Sequence, residues 1–114
     1  MANPPLFHVF TLRARQGKGD ALVKWWRETA LDVFRSLPGI KSVRALQTQY
    51  LLGGEYDLEW WFELENWAGY DQVTQAFATN PQLGAALAEQ DSLVEFGPSR
   101  VVAEWPDPRF PPQP

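Results

Sequence analysis

The chain has 114 residues, with 14 acidic and 10 basic side chains, a formal net charge of -4 at pH 7 and no cysteine. This length suits a single domain, the acidic excess argues against a general nucleic-acid binder, and the lack of cysteine excludes disulfides and thiolate metal sites. No apolar run approaches the roughly 20 residues of a membrane span, and the first residues lack the pattern of a secretory signal, so we expect a cytoplasmic protein with no nucleic-acid or membrane partner.

The first half of the chain predicts a strand, a helix and a second strand. Residues 6–15 are rich in aromatic and β-branched side chains, which favour a strand. Residues 20–37 repeat apolar side chains at helical spacing, and Pro38-Gly39 ends that helix. Residues 40–52 predict a second strand, and the glycine-rich turn at Gly53-Gly54 predicts that this strand pairs with the next one as a hairpin.

The second half predicts a strand followed by a broken helix. Residues 55–64 alternate apolar and polar side chains, which is typical of a half-buried strand. Asn66 is a suitable N-cap for a helix over residues 67–79, because its side chain can accept a hydrogen bond from a free amide of the first turn. Asn80-Pro81 interrupts this helix and begins a shorter one, since proline suits the first helical position.

One domain accounts for the whole pattern. Gly97-Pro98 predicts a turn before a last strand at residues 99–105. We assign residues 1–105 to this domain and residues 106–114 to a proline-rich tail without regular structure. The order βαββαβ, with right-handed crossovers, predicts an α+β fold in which one antiparallel sheet carries its helices on one face, the ferredoxin-like architecture.

Alternation along the strands predicts a second apolar face. With His8 and Phe10 turned toward the helices, Phe7 and Val9 fall on the opposite face, together with Trp61 of the third strand. Contiguous apolar patches usually mark contact surfaces, and a second copy related by a two-fold axis is the simplest cover. We therefore predict a homodimer with Phe7, Val9 and Trp61 at its interface.

The helix-covered face contains the residues that suggest chemistry. His8 is the only histidine, and a side chain that titrates near neutral pH could act as a general base on an activated carbon acid. The alternative is a half-buried structural histidine bonded to a tyrosine or to the backbone. Aromatic side chains are predicted around it, and they either line a pocket for a flat ligand or fill the space: Phe10, Tyr56, Trp60, Trp67 and Tyr70.

The acidic residues of the third strand raise the question of a metal. Asp57, Glu59 and Glu63 share one strand face, but a hard cation would also need oxygen ligands from neighbouring strands. Such a pattern is more often a polar sheet face answered by arginines. We expect neither a metal nor another cofactor.

Several segments together resemble a known family. Five segments follow one another in the order and spacing of the stress-responsive dimeric α/β-barrel family. They are Leu6 to Arg13, Leu37 to Val43, Tyr56 to Leu58, Leu64 to Asn66 and Asn80-Pro81. The resemblance extends thinly over residues 6–105. It implies a dimer in which two sheets close into a barrel.

The resemblance also implies residue roles. Some members resemble polyketide cyclases, which use a strand histidine with a tyrosine and a second histidine on the helix side. His8 and Tyr70 match the first two, whereas Gln82 and Leu83 follow Pro81 where the second histidine would be expected. Cofactor-free monooxygenases are another branch of the superfamily.

The sequence therefore predicts a small homodimer that binds or transforms an apolar, aromatic or polyketide-like molecule without a cofactor. His8 would be the base and Tyr70 an orienting hydrogen-bond donor. Two alternatives remain open: a non-enzymatic dimeric interaction or stress-related protein with a filled core, and a cofactor-free monooxygenase.

Overall fold

The computed structural model describes residues 3–50 and 55–108, so the predicted turn at Gly53-Gly54 and most of the proline-rich tail lie outside the described residues. The strands are β1 (Leu6–Ala14), β2 (Ile40–Gln47), β3 (Leu58–Leu64) and β4 (Val94–Ala103). The helices are α1 (Gly19–Trp25), α2 (Leu31–Arg35), α3 (Trp67–Thr79) and α4 (Pro81–Leu93), and a π-helical turn over Trp26–Ala30 joins α1 to α2. None of the helices within the described ranges has the length and apolar character needed to cross a membrane.

The four strands form one sheet in the order β2-β3-β1-β4, and every neighbouring pair is antiparallel. This order confirms the predicted ferredoxin-like architecture and the pairing of β2 with β3. The helices cover one face of the sheet, and the core between the two layers is built from alternate strand residues and the apolar sides of the helices. Its largest members include Leu6, Leu12, Trp25, Phe34, Trp60, Phe62, Leu64 and Leu83.

Two asparagines define where α3 and α4 begin. The Asn66 side chain accepts a hydrogen bond from the Gly69 amide at 2.9 Å, which confirms the predicted cap. The Asn80 side chain accepts from the amides of Gln82 and Leu83 at 3.0 and 3.2 Å. The break between the helices therefore comes from a cap that is followed directly by proline at the first position of α4.

The beginning of α3 is held by a close backbone contact. Gly39 has a φ of +87°, which favours glycine, and its carbonyl accepts from the Glu65 amide at 3.0 Å. A Cβ placed on Gly69 would lie 2.8 Å from that same carbonyl oxygen. The loop after α2 and the first turn of α3 thus touch backbone to backbone, and only glycine at position 69 leaves room for this approach.

The π-helical turn lies beside two adjacent tryptophans. Trp25 is 2% exposed, and Trp26 is partly buried with its ring stacked 4.2 Å from that of Trp60. Both indoles also contact the ring of Phe34, at centroid distances of 6.1 and 6.0 Å. Trp25, just before the π-helical turn, and Trp26, its first residue, therefore both point inward.

The start of the last strand was predicted wrongly. β4 begins at Val94, five residues before the predicted start, and it continues through Gly97-Pro98. β4 is an edge strand, where the missing amide of proline costs no sheet hydrogen bond, and the pairing with β1 shifts between Phe10 and Leu12 at this level. The Thr11 hydroxyl donates to the Pro98 carbonyl at 2.6 Å, so this irregular segment is tied to β1.

Candidate functional site

A cavity lies between the helix-covered face of the sheet and helices α2, α3 and α4. Its volume is about 60 Å³, several times the roughly 10–15 Å³ that one water molecule requires. Most of its wall is aromatic or aliphatic. The sheet contributes His8, Phe10, Trp60, Phe62 and Phe96, and the helices contribute Phe34, Tyr70, Phe77 and Gln90 among others.

The cavity has an aromatic rim on its solvent side. Phe77 of α3 and Phe96 of β4 both line it and are 42% and 41% exposed. Phe10 contacts Phe96 at a centroid distance of 6.4 Å. These two phenylalanine side chains therefore form the part of the cavity wall nearest to solvent.

His8 is held in the wall by ring contacts. Its imidazole stacks on Phe10 with centroids 4.2 Å apart and lies 5.4 Å from the ring of Tyr70. The imidazole nitrogens form no hydrogen bond with the residues that the structure describes, so neither a tyrosine nor a backbone group there fixes the ring. Burial lowers the pKa of His8 below its ordinary value of 6.5. The side chain is therefore neutral at pH 7 and able to accept a proton.

Tyr70 faces His8 from the first part of α3. It is partly buried and lines the cavity, and its hydroxyl has no hydrogen-bond partner within the described ranges. The preceding residue is Gly69, whose close contact with Gly39 fixes this turn of α3 against the loop that leads into β2. The structure thus brings together the two residues for which catalytic roles were predicted.

A buried polar pair in the same wall was not predicted. The Trp60 indole N–H donates to the Gln90 side-chain oxygen at 3.0 Å, and Gln90 is 5% exposed. The sequence did contain a signal, because Gln90 follows Leu83 and Leu87 at the spacing of the buried stripe of α4. A polar residue at an interior position requires a partner, and Trp60 provides one.

Two of the predicted pocket residues do not line the cavity. Tyr56 precedes β3 and packs on the other face of the sheet, beside Gly97 and with the Arg13 guanidinium 5.4 Å from its ring centroid. Trp67 is 49% exposed and touches the edge of Tyr70 from outside. Tyr56 was misplaced because the strand begins at Leu58, so strand alternation does not govern its direction.

The open face of the sheet carries the predicted interface residues. Phe7 and Trp61 are partly buried and make an edge contact with centroids 5.2 Å apart, and Arg44 lies over the Phe7 ring at 5.4 Å. Val9 between them is completely buried within the single chain. Val9 therefore offers no exposed surface of its own, its place at an interface stays a prediction, and Phe7 and Trp61 supply the apolar surface of this face.

Three glutamates of this face are paired with basic residues. Glu59 lies 3.2 Å from Arg100, and Glu63 lies 3.8 Å from Lys41 and accepts from the Ser42 hydroxyl at 2.9 Å. Glu95 pairs with Arg13 at 2.6 Å, and this guanidinium lowers the pKa of Glu95 below its ordinary value. These contacts agree with the interpretation of a polar sheet face answered by basic side chains.

Known structures share this fold at low sequence identity. HapK from Hahella chejuensis superposes with a TM-score of 0.69 at 11% identity, over 90% of this chain and 94% of that chain. The chain has the ferredoxin-like fold. The same ferredoxin-like fold occurs in a dabb family protein from Mesorhizobium loti (TM-score 0.61, 13% identity, 87% and 93% coverage) and in a dimeric protein of unknown function from Bacteroides fragilis (0.60, 15%, 87% and 95%). No family model and no curated protein matches the sequence.

Proposed function

We propose that the protein binds an apolar aromatic molecule, without a cofactor, in the cavity between its helices and its sheet. The observation that carries this proposal is the cavity itself, in which aromatic walls surround a few polar groups that converge on one space. His8 and Tyr70 are two of these groups, and neither side chain has a hydrogen bond to the described residues that would occupy it.

The pair could also perform a proton transfer. A C–H bond beside a carbonyl of the ligand would break, its proton would pass to the neutral His8 imidazole, and the electron pair would remain on the ligand as an enolate. The Tyr70 hydroxyl would donate to the enolate oxygen, and the imidazolium would return the proton to another position of the ligand. This step requires that the ligand first binds in the cavity.

A thermal-shift screen with aromatic and polyketide-like compounds tests binding. A ligand that binds only the folded state raises the melting temperature, by an amount that reflects about 2.7 kcal/mol at a concentration 100 times Kd. Tyr70→Phe should weaken the shift, whereas Tyr50→Phe, at a side chain that is 83% exposed, should leave it unchanged. A broad screen without any shift would contradict the proposal.

The proton transfer has a separate test. His8→Ala should abolish exchange of the α-protons of a bound ketone with deuterated solvent while the protein stays folded and still binds the compound. Exchange that continues at the wild-type rate in His8→Ala would exclude His8 as the base. Unfolding of His8→Ala would instead assign the residue a structural role.

We further propose that two copies associate through the open faces of their sheets. Support comes from the edge contact of Phe7 with Trp61 on this face, and from the dimeric state named for the Bacteroides fragilis protein of the same fold. Because Glu59, Glu63 and Glu95 are already paired within the chain, a second copy would bury no isolated negative charge.

Light scattering after size-exclusion chromatography tests the dimer. The wild-type protein should elute with twice the mass of the chain, and the double variant Phe7→Ala, Trp61→Ala should elute as a monomer. Trp67→Ala is the matched control, because it removes an exposed tryptophan from α3 on the helical side. A double variant that remains dimeric would refute this interface.

The small volume of the cavity supports one alternative. At about 60 Å³, the aromatic side chains come close to filling the space, as a non-enzymatic dimeric interaction protein would require. Under this alternative the dimer test succeeds while the ligand screen fails, so the two experiments together separate the functions.

A further inference from the structure

The Trp60–Gln90 pair contains a hydrogen-bond donor that the fold leaves free. An indole N–H only donates, so the Gln90 atom that faces Trp60 must be the carbonyl oxygen, and this fixes the side-chain NH₂ on the other side of the amide. That nitrogen forms no hydrogen bond with the described residues. The nitrogen also keeps some accessible surface. Within the described ranges, Trp25 Nε1 is the one side-chain nitrogen or oxygen that is both completely buried and without a hydrogen-bond partner, so the Gln90 nitrogen is not completely buried.

The hydrogen bond from Trp60 fixes the orientation of the Gln90 amide. The Trp60 ring is 4% exposed and stacks on Trp26 with an interplanar angle of 24°, so the indole cannot turn its N–H away without breaking the stack. Gln90 is itself 5% exposed and lines the cavity. Because the oxygen already accepts from Trp60, the amide nitrogen is the polar atom of Gln90 that is left to donate to a molecule in the cavity.

The sheet register relates His8 to Trp60, the hydrogen-bond partner of Gln90. His8 lies opposite Phe62, and Phe10 lies opposite Trp60. His8 and Trp60 are therefore diagonal neighbours, about 7–8 Å apart at the backbone.

We propose that Gln90 is a ligand-binding residue, whose side-chain N–H donates to an oxygen acceptor on the aromatic molecule in the cavity, with Trp60 as its positioning residue. This inference rests on the proposed function and narrows it to aromatic carbonyl compounds. An aromatic hydrocarbon of the same shape would leave a buried donor unpaired, which disfavours it.

Acetophenone and α-methylstyrene are suitable probes, because the hydrocarbon has a methylene group in place of the carbonyl oxygen and nearly the same shape. Their affinities can be measured by NMR titration of ¹⁵N-labelled protein, with the Trp60 indole and Gln90 amide signals as reporters. The wild-type protein should bind the ketone roughly three- to tenfold more tightly than the hydrocarbon, the range of one net hydrogen bond. In Gln90→Met the affinity ratio should fall to about one, while Gln75→Met on the exposed side of α3 should keep the wild-type ratio.

An infrared measurement covers the case in which Gln90→Met does not fold. The carbonyl band of acetophenone bound to Tyr70→Phe should be shifted to lower frequency relative to an apolar solvent, because the Gln90 amide still donates to the carbonyl after the Tyr70 hydroxyl has been removed. A bound carbonyl at the apolar-solvent position would overturn the inference. So would an affinity ratio that Gln90→Met leaves unchanged, and both of these results leave the proposed function standing. If neither probe binds the wild-type protein, the proposed function and this inference fail together.

Discussion

The backbone contact between Gly39 and Gly69 makes a quantitative prediction possible, because the chain offers a matched control. Gly69 and Gly84 each lie near the beginning of a 13-residue helix, α3 and α4. Alanine is intrinsically favoured over glycine in a helix by about 0.5–1 kcal/mol at either position. A Cβ at Gly84 meets no atom within 4 Å, whereas a Cβ at Gly69 would lie 2.8 Å from the Gly39 carbonyl oxygen and 3.4 Å from its Cα.

The difference between the two variants isolates the steric cost. The Gly39 carbonyl cannot retreat freely, because it accepts from the Glu65 amide, and overpacking of this kind costs about 1–3 kcal/mol. We therefore expect Gly84→Ala to raise the free energy of unfolding and Gly69→Ala to fall about 1–3 kcal/mol below it. Urea unfolding followed by tryptophan fluorescence measures both. Agreement of the two variants within about 0.5 kcal/mol would show that the contact carries no strain and refute the reasoning.

Two further predictions concern His8 and Asn80. Burial lowers the pKa of His8 below 6.5, so the unfolded chain binds a proton at this residue before the folded chain does as the pH falls. The free energy of unfolding should therefore decline below pH 6.5. His8→Gln should remove the contribution of His8 to this decline, measured by urea titrations between about pH 7.5 and 5.5. An identical pH dependence in wild type and variant would contradict the lowered pKa. Asn80→Ala removes the acceptor for two amides of α4. It should lower the free energy of unfolding by about 1 kcal/mol in the same urea assay. A loss below about 0.3 kcal/mol would mean that Pro81 alone is sufficient to begin the helix.

Local patterns were sufficient for most of the fold. Strand alternation placed His8 and Phe10 under the helices and Phe7 on the open face, because β1 is regular and one face is buried. The N-cap at Asn66 could likewise be predicted from the type of this residue and its neighbours in the sequence. These features depend on residues close in the sequence, so they do not need knowledge of the tertiary structure.

The remaining features depend on contacts between distant segments. Gly97-Pro98 has the composition of a turn, but its place on an edge strand beside a register shift allows it to stay in β4. Gln90 has the composition of a surface residue, and only the meeting of α4 with Trp60 of β3 makes it an interior one. The candidate site was therefore half predicted: the His8–Tyr70 pair came from the sequence, and the polar group opposite came from packing.

The π-helical turn allows the first helix to contain one more residue than a regular α-helix whose two ends have the same orientation. An α-helix rotates by about 100° per residue, whereas a π-helical turn takes up one extra residue within a single turn. Deleting one residue from Trp26–Ala30 should therefore restore regular hydrogen bonding and leave α1 and α2 in nearly the same relative orientation, while deleting one residue of α2 before Phe34 should rotate α1 by about 100° relative to the residues that follow. The Trp25 indole would then leave the core even though every remaining side chain was unchanged. During evolution or engineering, the π-helical turn should therefore accept the loss of one residue more readily than the regular helical segments beside it.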